Sequence, residues 1–170
     1  MSPTPMPHHN VLFLCTGNSA RSIMAEAILN HKAAGRLTAY SAGSHPSGIV
    51  RPEALRQLRD AGIPTAGLRS KSWDEFAQPN APAMNFVFTV CDNAANKRCP
   101  LWPGQPITAH WGIADPAAVQ GAPNKIARAF REAFTLLDRR ISLLLALPLS
   151  NLEPRALQRE LGTIGRTNPR

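Results

Sequence analysis

The chain has 170 residues, three cysteines and a formal net charge of +8 at pH 7, and this length predicts one domain with a core of its own. No apolar run is long enough to cross a membrane, and the N-terminus lacks the basic start and apolar core of a secretory signal, so we expect a cytoplasmic protein. An odd number of cysteines without an export signal favours reduced thiols with chemical roles over a structural disulfide framework.

The positive charge is concentrated in the last third of the chain. After Gly121 there are nine Lys or Arg residues against four acidic residues, which is five of the eight net charges. These basic side chains follow helical spacing opposite an apolar face, without interleaved aromatic residues. We interpret them as a solvated helix surface rather than a nucleic-acid site, and we expect neither a nucleic acid nor a membrane as partner.

The first half of the chain predicts two strands and three helices. In chain order these are a strand ending at Cys15, a helix over 23–35, a strand over 37–43, a helix over 52–62 and a short helix over 72–76. Pro52 suits the first turn of its helix, and glycine suits the ends of both longer helices.

The second half predicts two more strands and two more helices. These are a strand over 85–90, a short strand over 106–110, a long helix from 124 that Pro148 ends, and a final short helix over 152–161. Polar loops rich in Asn, Pro and Gly separate the two strands and precede the long helix. We therefore divide the chain into a disordered N-terminal tail over 1–9, a globular domain over 10–147, and a C-terminal short helix with a basic tail over 148–170.

Strands that alternate with helices at these lengths predict right-handed βαβ units. The predicted fold class is α/β: a single three-layer domain in which helices cover both faces of a four-stranded parallel sheet of order 2-1-3-4. In such sheets ligands bind outside the carboxyl ends of the strands, where the strand order reverses. That edge is where we expect the functional site.

The loop between the first strand and the first helix carries the strongest chemical signal. It begins at Cys15 and ends at Arg21, with five residues between them. Backbone N–H groups of such a loop can point at a tetrahedral oxyanion, helped by the dipole of the following helix. The same positive field favours a thiolate at Cys15, and Arg21 offers a planar fork of donors to the anion. We predict that Cys15 is a nucleophile and that the loop and the residue after it bind the oxyanion, through Thr16, Gly17, Asn18, Ser19, Ala20, Arg21 and Ser22.

The predicted strand order brings two more chemical groups to the same edge. Cys91 ends the third strand, which neighbours the first, and Asp115 follows the fourth. Asp115 is placed to protonate a leaving group as a general acid. Three residues that are far apart in sequence therefore converge through topology.

A second thiol changes the reaction that the site can perform. With Cys15 alone, the loop would make a phosphatase, which attacks phosphorus and hydrolyses the intermediate. Arsenate has nearly the same shape and charge, but As(V) accepts two electrons from a pair of thiols. Cys91 is placed to attack a Cys15–arsenic adduct, and Cys99 can carry the resulting disulfide outward if its loop brings the two cysteines within bonding range.

These segments resemble the low-molecular-weight tyrosine-phosphatase superfamily, specifically its arsenate reductase branch. The resemblance rests on the Cys-Thr-Gly-Asn-Ser-Ala-Arg-Ser loop, on Val90-Cys-Asp-Asn with the later Cys99-Pro100, and on the segment ending at Asp115-Pro116. It implies the phosphotyrosine phosphatase I-like fold and a role in arsenic detoxification. It further implies that Cys15 is the nucleophile, Arg21 the oxyanion ligand, Asp115 the acid, and Cys91 and Cys99 the relay thiols, with Ser22 stabilising the thiolate.

The resemblance also implies the substrate class and the electron donor of the enzyme. Such reductases have no tightly bound cofactor, act on a small oxyanion and are recycled by an external thiol reductant, either thioredoxin or glutathione with glutaredoxin. We expect a monomer. Some relatives bind potassium near the loop through residues that match Asn18, Glu26 and Ser41. Ala20 stands where many members have a further cysteine, which the basic chemistry does not need.

Three other interpretations compete with arsenate reduction. A low-molecular-weight tyrosine phosphatase that hydrolyses phosphomonoesters would share the loop and the acid, but it usually has tyrosines after Asp-Pro, where this chain has Ala117-Ala118-Val119. A non-catalytic oxyanion or redox sensor would not need the whole set of Cys15, Arg21 and Asp115. A zinc site at Cys91, Cys99 and His110 would lack the usual Cys-x-x-Cys pair.

Overall fold

Four parallel strands form the centre of the molecule. The computed structural model describes residues 8–90 and 105–167. The strands are β1 (His9–Cys15), β2 (Leu37–Gly43), β3 (Phe86–Thr89) and β4 (Ile107–His110), in the order β2-β1-β3-β4. All three pairings are parallel, so the predicted sheet and its strand order are confirmed. Strand β1 includes His9, one residue before the predicted start of the domain.

The described chain also has four α-helices and two short 3-10 helices. The α-helices are α1 (Arg21–Ala33), α2 (Pro52–Asp60), α3 (Pro123–Leu145) and α4 (Pro154–Gly165), and the 3-10 helices are Trp73–Phe76 and Pro116–Ala118. Helices α2, α3 and α4 each begin at a proline, whose fixed φ suits the first helical position. None of the helices in the described ranges is both long enough and apolar enough to cross a membrane.

The two faces of the sheet are covered differently. Along β1, Val11, Phe13 and Cys15 belong to the large core that includes residues of all four α-helices. Leu12 and Leu14 belong to a smaller core with Phe76 of the first 3-10 helix. Because both faces are covered, every residue from Val11 to Cys15 is buried, which explains why β1 is an uninterrupted apolar run.

Helix α4 is part of the main core. Its residues Leu157, Leu161 and Ile164 are buried there, and the indole N–H of Trp111 donates a 2.9 Å hydrogen bond to the Leu161 carbonyl oxygen. The division after residue 147, made from sequence at the end of the long helix, therefore does not mark a unit that packs separately. Helix α4 closes the core beside β4.

The approach of α4 to the chain around Trp111 requires a glycine. A Cβ atom at Gly165 would overlap the carbonyl oxygen of His110 and would lie 2.7 Å from Cδ1 of Trp111. We predict that Gly165→Ala lowers the free energy of unfolding by about 1–3 kcal/mol, because backbone atoms and a buried ring cannot move aside cheaply. Urea unfolding followed by circular dichroism measures the change.

Gly162 in the same helix provides the matched control. A Cβ atom there would meet its nearest neighbour, an Arg166 nitrogen, at an ordinary 3.6 Å. Gly162→Ala should leave stability unchanged or raise it by up to about 1 kcal/mol, since alanine is the better helix former. Equal losses in the two variants would contradict the proposed close packing at Gly165.

Candidate active site

The loop after β1 is held by backbone hydrogen bonds from the segment that follows β2. Cys15 ends β1 and is 4% exposed, and α1 begins at Arg21. Four backbone N–H groups of the 44–51 segment donate to the outer side of this loop. Their N–H groups donate to loop carbonyl oxygens as follows: Ser44 to Cys15 (3.3 Å), His45 to Thr16 (2.9 Å), Ser47 to Gly17 (3.0 Å) and Arg51 to Ser19 (2.8 Å).

These bonds fix the direction of the loop amides. In a planar trans peptide the C=O of one residue and the N–H of the next point in opposite directions, and the described chain has no cis peptide bond. Since the carbonyls of Cys15, Thr16, Gly17 and Ser19 turn outward, the N–H groups that follow them turn to the opposite side. This orientation suits an oxyanion bound at the start of α1, whose first turn carries no acidic side chain.

Asn18 braces the loop through its side chain. It is fully buried and adopts a left-handed conformation with φ of 45°, which asparagine tolerates better than most residues. Its Oδ1 accepts from the backbone N–H of Lys71 at 2.9 Å, and its Nδ2 donates to Ser22 Oγ at 2.8 Å. Because Ser22 Oγ accepts this bond, its own O–H points elsewhere, as the predicted stabilisation of the thiolate requires.

Gly43 lets β2 lie directly against the loop. It is the register partner of Cys15 in the sheet. A Cβ atom on Gly43 would lie 2.5 Å from the Thr16 carbonyl oxygen and 3.0 Å from both Cβ and the backbone N of Asn18. Any other residue here would displace the loop. From its sequence pattern, this glycine is only the last residue of the predicted strand over 37–43.

Arg21 and Asp115 meet across the sheet edge. Arg21 Nη2 lies 3.6 Å from Asp115 Oδ2, and Nη1 donates to the Ile113 carbonyl oxygen at 3.0 Å. The Asp115 side chain is 41% exposed and Arg21 is 13% exposed, so the carboxylate is open to solvent while the guanidinium is sheltered. The other oxygen of Asp115 accepts from Ala117 N–H at 2.9 Å. The Cys15 loop is therefore adjacent to the segment that carries Asp115, which we call the acid segment.

A buried arginine anchors the segment that carries Asp115. Arg140, on α3, donates through Nη1 to the carbonyls of Trp111 (2.8 Å) and Gly112 (3.3 Å), and through Nη2 to the Thr167 carbonyl (3.1 Å). Burial lowers the pKa of Arg140. The sequence analysis wrongly counted Arg140 with the solvated basic surface of the helix: the residue is 3% exposed, and three carbonyl oxygens solvate its charge.

Two of the residues predicted for potassium, Glu26 and Ser41, contact each other beside the ammonium of Lys71. Glu26 Oε1 accepts from Ser41 Oγ at 2.7 Å and lies 3.6 Å from Nζ of Lys71, which also donates to the Arg69 carbonyl oxygen at 3.0 Å. Burial raises the pKa of Glu26 and lowers that of Lys71, and their mutual attraction opposes both shifts. Glu26, one of the residues matched to potassium ligands, thus already has a positive partner within the protein. No sequence signal distinguished Lys71 from a loop residue between two serines.

The predicted relay thiols Cys91 and Cys99 lie outside the described residues. Val90, the residue before Cys91, lies beside the Cys15 loop. The N–H of Val90 donates to the carbonyl of Leu14, next to Cys15, at 2.9 Å, and the Val90 carbonyl accepts from the N–H of Ile113 at 3.0 Å. The backbone thus passes between the Cys15 loop and the acid segment immediately before the second cysteine.

The chain is similar to proteins of known family. A family model described as low molecular weight phosphotyrosine protein phosphatase matches residues 10–161. An arsenate reductase from Shouchella clausii (strain KSM-K16) is 35% identical over 131 residues, covering 77% of this chain and 91% of the relative.

Two solved structures share the fold over most of the chain. An arsenate reductase in the phosphate binding state has a TM-score of 0.66 at 28% identity, covering 81% of this chain and 97% of that one. An arsenate reductase in the oxidized state has a TM-score of 0.65 at 28% identity, covering 81% and 96%. The fold and the resemblance predicted from sequence are both confirmed.

The contact at Gly43 yields a test of the loop geometry. We predict that Gly43→Ala weakens the binding of inorganic phosphate by about tenfold or more, because the displaced loop misaligns its amide donors. Isothermal titration calorimetry measures the affinity.

Gly62→Ala is the control. Gly62 follows α2, has φ of +76° and has no atom within 4 Å of its would-be Cβ. The substitution should cost about 1 kcal/mol of stability through backbone strain while leaving phosphate affinity unchanged. Parallel losses of affinity in both variants would show that general destabilisation, and not the loop contact, explains the effect.

Proposed function

Because the chain belongs to the low molecular weight phosphotyrosine protein phosphatase family, we propose that it works as an arsenate reductase, which converts arsenate to arsenite and so detoxifies arsenic. The observation that carries the proposal is the convergence of three segments at one sheet edge. The Cys15 loop, the Arg21–Asp115 contact and Val90 meet there, and the next residue in the chain is a second cysteine. The substrate class is a small tetrahedral oxyanion.

The first step joins arsenate to the enzyme. The loop amides and the guanidinium of Arg21 bind the anion, and the Cys15 thiolate attacks arsenic. A sulfur–arsenic bond forms, and one arsenate oxygen leaves as water after Asp115 protonates it. Since Asp115 faces solvent and lies beside Arg21, its carboxyl group can both reach the bound anion and regain a proton from water.

The second step reduces the arsenic. The Cys91 thiolate attacks the sulfur of Cys15, a Cys15–Cys91 disulfide forms, and the sulfur–arsenic bond breaks. Its electron pair stays with arsenic, so As(V) becomes As(III) and leaves as arsenite. The two thiols together lose the two electrons that arsenic gains.

The third step clears the active site. The Cys99 thiolate attacks the Cys91 sulfur, which releases the Cys15 thiolate and leaves a Cys91–Cys99 disulfide. An external dithiol, from thioredoxin or from glutathione with glutaredoxin, then reduces that disulfide. The cycle needs a compartment in which thiols stay reduced, so we propose that the protein acts in the cytoplasm. We further propose that it acts as a monomer.

The segment after the acid favours this reaction over the hydrolysis of protein phosphotyrosine. Residues Pro116–Ala118 form a short 3-10 helix that Asp115 caps, and Val119 follows it. These small side chains offer no aromatic platform for a phenyl ring. Slow hydrolysis of small phosphomonoesters remains compatible with the Cys15 loop, which holds the groups that reaction requires.

Substitutions of the three cysteines distinguish hydrolysis of a phosphate ester from reduction of arsenate. Cys15→Ser should abolish turnover of every substrate. Cys91→Ser should abolish arsenite production but retain slow hydrolysis of an aryl phosphate, because only reduction needs the second thiol. Cys99→Ser should accumulate the Cys15–Cys91 disulfide after one turnover with arsenate, which peptide mapping detects. Undiminished arsenite production by Cys91→Ser would refute the relay.

The electron donor can be identified with purified systems. We expect steady-state arsenite production with one of two systems, each supplied alone with NADPH: thioredoxin with thioredoxin reductase, or glutaredoxin with glutathione and glutathione reductase. The donor that supports turnover should also reduce the Cys91–Cys99 disulfide without arsenate present. Absence of arsenite with both donors, in a protein that still hydrolyses aryl phosphates, would favour the phosphatase alternative.

A further inference from the structure

A buried ion pair lies directly beneath the oxyanion loop. Glu26 on α1 and Lys71 after β2 have side chains that are 14% and 7% exposed, and their charged atoms lie 3.6 Å apart. Ser41, fully buried on β2, donates to the same carboxylate oxygen of Glu26. We call Glu26, Ser41 and Lys71 the Lys71 cluster.

The main chain of Lys71 connects this cluster to the active-site loop. Its N–H donates to Asn18 Oδ1 at 2.9 Å, and its carbonyl accepts from the N–H of Gly43 at 2.9 Å. Asn18 lies within the Cys15 loop, and Gly43 supports that loop from β2. The main chain of Lys71 therefore binds both Asn18 and Gly43, two residues that support the shape of the loop.

The side chain of Lys71 supplies the charge that Glu26 requires. A buried carboxylate without a positive partner is strongly unfavourable, and removing one member of a buried pair leaves the other uncompensated. Besides each other, the Glu26 carboxylate contacts the Ser41 hydroxyl and the Lys71 ammonium contacts the Arg69 carbonyl oxygen. Such a set of carboxylate, hydroxyl and carbonyl oxygens is of the kind that binds hard metal cations.

We propose that the Lys71 ammonium is a built-in substitute for a monovalent metal cation, and that it keeps the oxyanion loop ordered without potassium. Lys71 is a positioning residue in this account, since it acts on the anion through Asn18 and Gly43. The inference deepens the proposed function, because the loop is the one that would bind arsenate. Its test uses phosphate binding and unfolding, so it can fail while arsenate reduction stands, and the reverse.

The test asks whether removing the ammonium creates a requirement for potassium. Phosphate affinity and Tm are measured for the full chain in potassium chloride and in choline chloride at equal ionic strength. The wild-type protein should give the same values in both salts. Lys71→Ala in choline chloride should bind phosphate about tenfold or more weakly and should have a lower Tm, because Glu26 is left unpaired. Potassium should restore both values in a saturable manner.

Two further variants keep the proposal falsifiable. Glu26→Gln combined with Lys71→Ala removes both charges, so this protein should not respond to potassium even if its Tm is low. Lys32→Ala removes a lysine whose ammonium pairs with Asp138 on the helical face, 2.7 Å away, and its phosphate affinity should be identical in both salts.

Several outcomes would overturn the proposal. A specific potassium effect on the wild-type protein would mean that Lys71 does not replace the cation. A Lys71→Ala protein with undiminished affinity in choline chloride would mean that the ammonium is not needed. A weakened Lys71→Ala protein that potassium fails to rescue would mean that Lys71 only fills space, and rescue of the double variant would mean that the response does not depend on Glu26.

Discussion

The outward hydrogen bonding of the Cys15 loop is the constraint on which the site depends. Amide donors can converge on an anion only if the carbonyl groups of the same peptides are satisfied elsewhere, because buried carbonyls without partners are costly. The segment over 44–51 meets this demand with four N–H groups. The shape of the Cys15 loop thus depends on the 44–51 segment. Gly43 lets β2, which precedes that segment, lie directly against the Cys15 loop.

Electrostatics at this edge is balanced in two layers. At the surface, Arg21 contacts Asp115 and the Ile113 carbonyl, so an incoming oxyanion competes with a carboxylate for the guanidinium. Below, Lys71 and Glu26 neutralise each other under the loop. At each of these two levels a positive side chain is paired with a negative one.

Much of this arrangement could be predicted from the sequence, because it follows from local patterns. The apolar run before Cys15, the spacing to Arg21 and the alternation of strands and helices together predicted the sheet order, the edge and the neighbourhood of Asp115. The burial of Lys71 and Arg140 could not be predicted, because a charged residue in a loop or on an amphipathic helix is usually solvated. Apart from the Arg69 carbonyl, their partners are carbonyl and carboxylate groups 27–45 residues away, and only the folded chain brings these together. The relay through Cys91 and Cys99 remains a prediction that rests on chemistry and on the path of Val90.

Arg140 connects the acid segment to Thr167, near the C-terminus, through its hydrogen bonds. One of its nitrogens holds the backbone four and three residues before Asp115, and the other holds Thr167, beyond the end of α4. A protein shortened before Thr167 would deprive that guanidinium of one carbonyl, and one shortened before α4 would also uncover Trp111. Trimming the C-terminus, a change usually made only to improve expression or crystallisation, would therefore alter the support of the segment that carries Asp115, the proposed general acid.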